Sequence, residues 1–176
     1  MNFYEQENNK TVLKTREIIR ELPEFCNEFF LDLNQNTLPK TRMGYAYDLR
    51  VFFNFLVTEN KEFLGRDIKS LTLDDLQKIK VVDINQFMDY LAYYVSDEDS
   101  QLYSNGENGK ARKLAAVRKL FKYFYRTEKI SSNPAELTIT PKRHEKEIVR
   151  LEPNEVAEML DVIENGSKTI EYYVKL

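Results

Sequence analysis

The sequence predicts an all-α protein: a compact bundle of four to five helices, followed by an extended linker and one helix of a second domain. Apolar residues recur every three to four positions over several long stretches, which is the period of an amphipathic helix. The 176 residues include only five glycines and five prolines, too few for a loop-rich β architecture. Apolar and charged contents of 42% and 31% are typical of globular proteins, so we expect most of the chain to fold.

The composition also limits the classes of function. A single cysteine, Cys26, excludes an internal disulfide and a cysteine metal cluster, and its place on an apolar stripe is typical of a small core residue. The sequence contains no run of eighteen apolar residues and no signal-peptide pattern at its N-terminus. We therefore expect a cytoplasmic protein with no membrane contact, no metal and no cofactor.

The first elements are a variable segment and an aromatic helix. In the segment 1–22, residues 1–10 are polar and expected to be loose, and a short helix is predicted over 11–21. Pro23 suits the first turn of the next helix, where its missing N–H costs nothing. Aromatic and aliphatic residues then recur every four positions at Phe25, Phe29 and Leu33. The predicted helical domain runs from residue 23 to residue 135.

A long helix is predicted from about Pro39 to Thr58, with an apolar stripe at i, i+4, i+7 and i+11: Tyr45, Leu49, Phe52 and Leu56. Its first turns carry Lys40, Thr41 and Arg42, which place cationic and hydroxyl donors where the helix dipole is positive. This combination suits phosphate contact. The alternative is ordinary capping by Thr37 or Thr41 beside solvated charges.

The middle of the chain is predicted to form short helices separated by loops. Residues 60–70 are expected to be a loop, and Thr72 with Asp75 forms a capping-box pattern that opens a short helix to about Lys80. Asp83 is expected to cap the next helix, which extends to Val95. Residues 96–109 are polar, contain two Asn-Gly pairs and are predicted to be a loop.

A basic amphipathic helix follows, from about Glu107 or Lys110 to Thr127. Residues 109–150 hold twelve Lys and Arg against four Glu, whereas residues 1–108 and 151–176 are both net acidic. Such a helix could be a solvated face, a membrane-surface helix or a partner-binding helix. Its apolar stripe is needed by the core, which disfavours the membrane, and it has almost no acids at i±4 to pair with its cations. The charge separation therefore indicates a polyanionic partner.

The chain beyond Asn133-Pro134 is expected to be extended. Pro141 favours an extended Thr140, and residues 136–150 form a basic interdomain linker. Pro153 opens an acidic amphipathic helix, and Gly166 is a C-terminal stop signal. We interpret residues 151–176 as the start of a truncated second domain.

The order of these pieces resembles the N-terminal half of the tyrosine recombinases, the phage-integrase and Xer-like site-specific recombinases. The resemblance covers about residues 23–166. Its carriers are Thr41-x3-Tyr45-x3-Leu49-x2-Phe52-x3-Leu56, the segment Val82–Leu91, the segment Lys113–Phe124, the exit Ile130–Ala135, and Leu151-x3-Glu155-x4-Leu160.

This resemblance implies a SAM-like core-binding domain that grips one side of a duplex recombination site, and a first piece of the catalytic domain. The implied DNA contacts are Lys40, Thr41, Arg42, Tyr45, Lys110, Arg112, Lys113, Arg118, Lys119, Lys142 and Arg143. It also implies further protomers of the same recombinase on the DNA site, whereas the fragment itself is expected to be a monomer in solution.

The resemblance implies no catalytic residue in this chain. In the family, a tyrosine nucleophile, two arginines, a lysine and histidines act from the C-terminal domain, and none of the eleven tyrosines here stands in the nucleophile's context. The single histidine, His144, lies in the linker. We therefore expect the chain to bind DNA without cutting it. Two alternatives stay open: an α-helical module that binds an acidic protein, and a stand-alone helical DNA-binding regulator.

Overall fold

The computed structural model describes residues 3–95, 100–140, 150 and 152–165. The chain divides into two compact units, Met1–Arg143 and His144–Leu176. The domain limits expected from the sequence (1–22, 23–135, 136–150 and 151–176) stay predictions.

Helices dominate both units, which confirms the all-α prediction. Within the described residues, the first unit contains α1 (Phe3–Ile19), α2 (Cys26–Asn36), α3 (Pro39–Thr58), α4 (Leu73–Lys78), α5 (Val81–Tyr90), α6 (Glu107–Arg126) and α7 (Pro134–Leu137), with a 3₁₀ turn at Ile68–Ser70. The second unit contains α8 (Pro153–Asn165). No helix among the described residues is long and apolar enough to cross a bilayer.

Helix α3 is the centre of the first unit and packs against α1, α2, α5 and α6. The core is rich in phenylalanine: Phe52 and Phe87 meet edge to face at 5.1 Å between ring centroids, and Phe25 bridges α3 and α6 through Phe53 and Phe124. Aromatic pairs in this geometry are favoured by the ring quadrupole. Together they fix α6 against α3.

The helix α1 corrects the expectation of a loose N-terminus, because it already begins at Phe3. Thr11 and Thr15 are buried, and their hydroxyls donate to the carbonyls of Glu7 and Thr11 at 2.8 and 2.7 Å. Because α1 packs along α3, tertiary burial stabilises a segment whose polar composition gave no signal.

Two further differences lie before and after α6. A short antiparallel hairpin, β1 (Tyr94–Val95) and β2 (Leu102–Tyr103), pairs Tyr94 with Tyr103 at the end of the predicted fifth helix and inside the predicted loop. After Asn133, the chain forms the helical turn α7 with Pro134 in its first turn before it becomes extended.

The capping box predicted at the start of α4 is confirmed, whereas α5 begins earlier than expected, with Lys80 as its N-cap and Asp83 as its third residue. The Thr72 side chain accepts from the Asp75 amide, and the Asp75 carboxylate accepts from the Thr72 amide. At α5, the Asp83 carboxylate accepts from the Lys80 amide at 2.7 Å. In the second unit, the apolar residues along α8 are exposed (Val156, Met159, Leu160 and Ile163).

Candidate nucleic-acid interface

The middle of α3 and the second turn of α6 meet at a buried carboxylate. Asp48 of α3 is 2% exposed, and its Oδ2 accepts from Arg112 Nη1 of α6 at 2.8 Å. One turn earlier, Gly44 lies against the same guanidinium, so that a Cβ there would be 3.8 Å from Arg112 Nη1. The first half of α3 therefore lies against the first turns of α6.

A second polar link lies beside this ion pair. Lys113 is buried and its Nζ donates to Asn105 Oδ1 at 2.8 Å, while Asn105 Nδ2 donates to the Leu91 carbonyl. Burial raises the pKa of Asp48 to about 6 even though Arg112 and Lys113 oppose the shift, and burial lowers the pKa of Lys113. The network joins α3, α6 and the end of α5, so Lys113 serves the fold.

Four cations of α6 form one exposed surface, here called the basic stripe: Arg112, Lys119, Lys122 and Arg126. Their spacings of seven, three and four residues place them on the same helix face, and Ala115 between them is small and exposed. Arg126 lies 3.4 Å from Asp32 Oδ1, whereas Lys119 and Lys122 form no ion pair with any described residue. Two of the four cations of the stripe are therefore uncompensated by the described residues, and the other two each face one carboxylate.

The start of α3 adds two exposed polar side chains. Lys40 and Thr41 are exposed, whereas Tyr45 is half-buried against the core. Arg42 is half-buried and its Nη1 donates to the Thr37 carbonyl. The N-cap is Leu38, and it makes no side-chain capping bond. Capping of this helix by the Thr37 or Thr41 hydroxyl, the alternative left open by the sequence, is therefore not what the structure shows.

Comparison with curated proteins gives a consistent family. The chain is 31% identical over 160 residues to the tyrosine recombinase XerC of Caldanaerobacter subterraneus, covering 87% of this chain. It is 34% identical over 130 residues to the tyrosine recombinase XerC of Chlorobaculum parvum, covering 74% of this chain. The chain belongs to the tyrosine recombinase family. A third relative, the XerC of Leptospira interrogans, is 27% identical over 162 residues.

This tyrosine recombinase chain spans less than half the length of the relatives it matches: the alignments cover 42%, 34% and 45% of those three proteins. No protein-family model matches it. No solved structure gives a significant match either.

The remaining candidate DNA contacts of the recombinase chain have different surroundings. Lys110 is half-buried and forms no ion pair with any described residue. Arg118 is half-buried and donates to one residue of α7 and to two residues that follow it. Lys142 and Arg143 lie outside the described residues. In the part of the chain that the structure describes, no cluster of His, Cys, Asp and Glu could hold a metal ion.

The predicted DNA contacts on α6 do not separate exposed cations from buried ones. They include the buried Lys113 and leave out the exposed Lys122 and Arg126, although these two lie on the same helix face as Arg112 and Lys119. Lys122 and Arg126 follow Lys119 by three and seven residues, the spacing that keeps side chains on one face of a helix, so this spacing could have identified them. Arg112 and Lys113 also bind polar groups of the fold, Asp48 and Asn105, so truncation of both is expected to lower stability as well as remove charge.

Proposed function

We propose that this chain is the duplex-DNA-binding part of a cytoplasmic site-specific tyrosine recombinase, and that it grips one side of a recombination site. The observation that carries the proposal is the Asp48–Arg112 ion pair. It joins the middle of α3, about two turns beyond the exposed Lys40 and Thr41, to the first residue of the basic stripe. The two segments predicted separately to bind phosphate therefore belong to helices in contact, which supports a shared surface.

The chemistry of this surface suits a phosphate backbone. Exposed lysines and arginines that replace condensed counterions on DNA gain affinity from counterion release, and this term falls steeply with salt. The stripe from Arg112 to Arg126 extends about 21 Å along α6, at about 1.5 Å per residue. Such contacts would fix register and orientation on the duplex, while base reading would come from side chains that enter a groove.

In the proposal, binding and cleavage are separate. The phosphate contacts come from the first unit, with Lys142 and Arg143 of the linker following the backbone. Further protomers of the same recombinase would occupy the other part of the site. None of the described tyrosines is assigned a nucleophilic role, so the 176-residue chain is expected to bind DNA without forming a covalent link to it.

The experiment is a titration of the chain with random-sequence duplex DNA at about 50 and about 200 mM salt. Lys119→Ala with Lys122→Ala should weaken binding about tenfold at the lower salt and reduce the slope of log affinity against log salt by about 2. The matched control is Lys61→Ala with Lys69→Ala, two exposed lysines outside α3 and α6. It removes the same charge and should have a much smaller effect.

Absence of binding at the lower salt would reject the proposal and favour an acidic protein as the partner. Equal losses in the stripe variant and the control variant would show that binding follows net charge alone, and would reject the stripe as the interface.

A further inference from the structure

We propose that Arg118 is a positioning residue that fastens the exit of the first unit to α6, instead of contacting phosphate. All three nitrogens of its guanidinium are engaged by the segment after α6. Nε donates to the Ala135 carbonyl at 3.0 Å, Nη1 donates to Thr140 Oγ1 at 2.7 Å, and Nη2 donates to the Thr138 carbonyl.

Beyond the packing of α7, the large apolar side chains of the exit segment, residues 134–140, do little to attach it. Leu137 is 72% exposed and Ile139 is 88% exposed, so its two large apolar side chains contribute little burial. Ala135 and Thr138 are buried, and α7 packs against α5 and α6. The carbonyls that Arg118 holds are the polar groups of these buried residues. A planar fork with donors on three nitrogens suits this geometry, and a lysine ammonium does not.

Arg118 also differs from its neighbour in direction. Consecutive helical residues are about 100° apart around the axis, so Lys119 lies on the exposed stripe while Arg118 lies over the exit. One helix thus carries the proposed DNA surface and the fastening of the chain that leaves the unit. This inference rests on the proposed function: if DNA binds α6, the same helix sets the direction in which the linker starts.

The test compares Arg118→Lys with Lys119→Ala in the full 176-residue chain. Thermolysin, which cleaves before large apolar residues, has exposed sites at Leu137 and Ile139 but needs the backbone to detach locally. Arg118→Lys keeps the charge and loses the fork. It should speed cleavage at these two sites at least tenfold, mapped by mass spectrometry, and leave duplex affinity within twofold. Lys119→Ala should do the reverse.

Two further variants separate fastening from general destabilisation. Ile18→Val changes a buried residue of α1 and should not speed cleavage at the exit even where it lowers the melting temperature. Thr140→Val removes one acceptor at an exposed position and should give a smaller acceleration in the same two bonds; this variant serves if Arg118→Lys does not fold.

Unchanged cleavage in both Arg118→Lys and Thr140→Val would overturn the proposal. So would a loss of duplex affinity in Arg118→Lys equal to that in Lys119→Ala. If no variant and no wild-type protein bound DNA, the proposed function would fail, while faster cleavage at the exit would still support the fastening.

Discussion

At the scale of single residues, Asp48 has the most unusual environment of the proposed interface. Its carboxylate is nearly inaccessible, yet it faces Arg112 and lies near Lys113. Because burial raises its pKa from 3.8 to about 6, the folded protein holds a proton at Asp48 more tightly than the unfolded chain does. The stability from this group is full below its unfolded pKa and is lost as the pH rises through about 6.

This sign gives a prediction for Asp48→Asn. The free energy of unfolding of the wild type minus that of Asp48→Asn should fall by about 2 kcal/mol between about pH 4.5 and about pH 7, because only the wild type gives up the proton. Urea unfolding at the two pH values measures it. A difference that stays constant with pH would show that Asp48 does not titrate in this range.

A second residue prediction concerns the core side of α6. Phe121 is completely buried, and the phase of the basic stripe requires it to point away from solvent. Phe121→Ala should cost about 3–5 kcal/mol of unfolding free energy, the range for truncation of a buried aromatic. Lys122→Ala, the exposed next residue, should change stability by less than about 0.5 kcal/mol. Urea unfolding of both variants checks this, and a loss below about 1 kcal/mol for Phe121→Ala would contradict the packing of α6.

At the scale of elements, the turn before α4 is held by one acid that serves several groups. Asp75 is buried, accepts from Arg66 Nη1 and Nη2 at 3.0 and 2.9 Å, and accepts from the Thr72 amide at 3.0 Å. The bond from Arg66 is the main reason that the pKa of Asp75 lies well below its usual range. The stability from this group is therefore present above the unfolded pKa and is lost on acidification, opposite in sign to Asp48.

Asp75→Asn should destabilise the protein by about 1–3 kcal/mol at neutral pH, because the amide cannot replace a carboxylate that accepts from both Arg66 nitrogens and the cap. Most of this cost should disappear near about pH 2. The measurement is chemical unfolding of both proteins across that range. A cost that is the same in acid and at neutral pH would mean that the charge of Asp75 contributes nothing.

The elements that sequence could predict are those with a strong local signal. The helices α2, α3 and α6 have long apolar periods with clear starts, and their described bounds lie within a few residues of the predicted ones. The first two turns of α1 could not be predicted, because their polar residues carry no apolar period and α1 packs along α3, which is distant in sequence. The hairpin before α6 has strands of two residues, too short for an alternation pattern to register.

For the candidate site, the sequence could indicate which helices contribute, but it could not indicate which of their side chains are exposed. Composition and spacing marked α3 and α6, and the structure joins these two helices through Asp48 and Arg112. Which lysine on α6 faces solvent depends on the helix phase relative to the core. The contacts of Arg118 depend on the path of the chain about twenty residues later, and no local sequence pattern encodes that path.

At the scale of the whole molecule, the hydrophobic core belongs to the first unit, whereas the residues after it carry an excess of acidic side chains. Among the described residues, every member of the hydrophobic core cluster lies between Ile18 and Ala135, within the first unit. Residues 144–176 carry four basic and eight acidic side chains, so their removal changes the formal net charge from −3 to +1. The core therefore depends on the first unit alone, while the acidic residues beyond it lower the attraction of the chain for a polyanion.

Truncation after Arg143 tests both consequences. The fragment should keep a cooperative unfolding transition with a midpoint within about 3 °C of the full chain, because no core residue is lost. It should bind duplex DNA at least as tightly as the full chain at about 50 mM salt, since four net negative charges are removed and the basic stripe is intact. Calorimetry and a binding titration give the two readouts. A fragment that is folded but binds more weakly would show that residues 144–176 contribute their own DNA contacts, and an unfolded fragment would show that the core of the first unit is not self-sufficient.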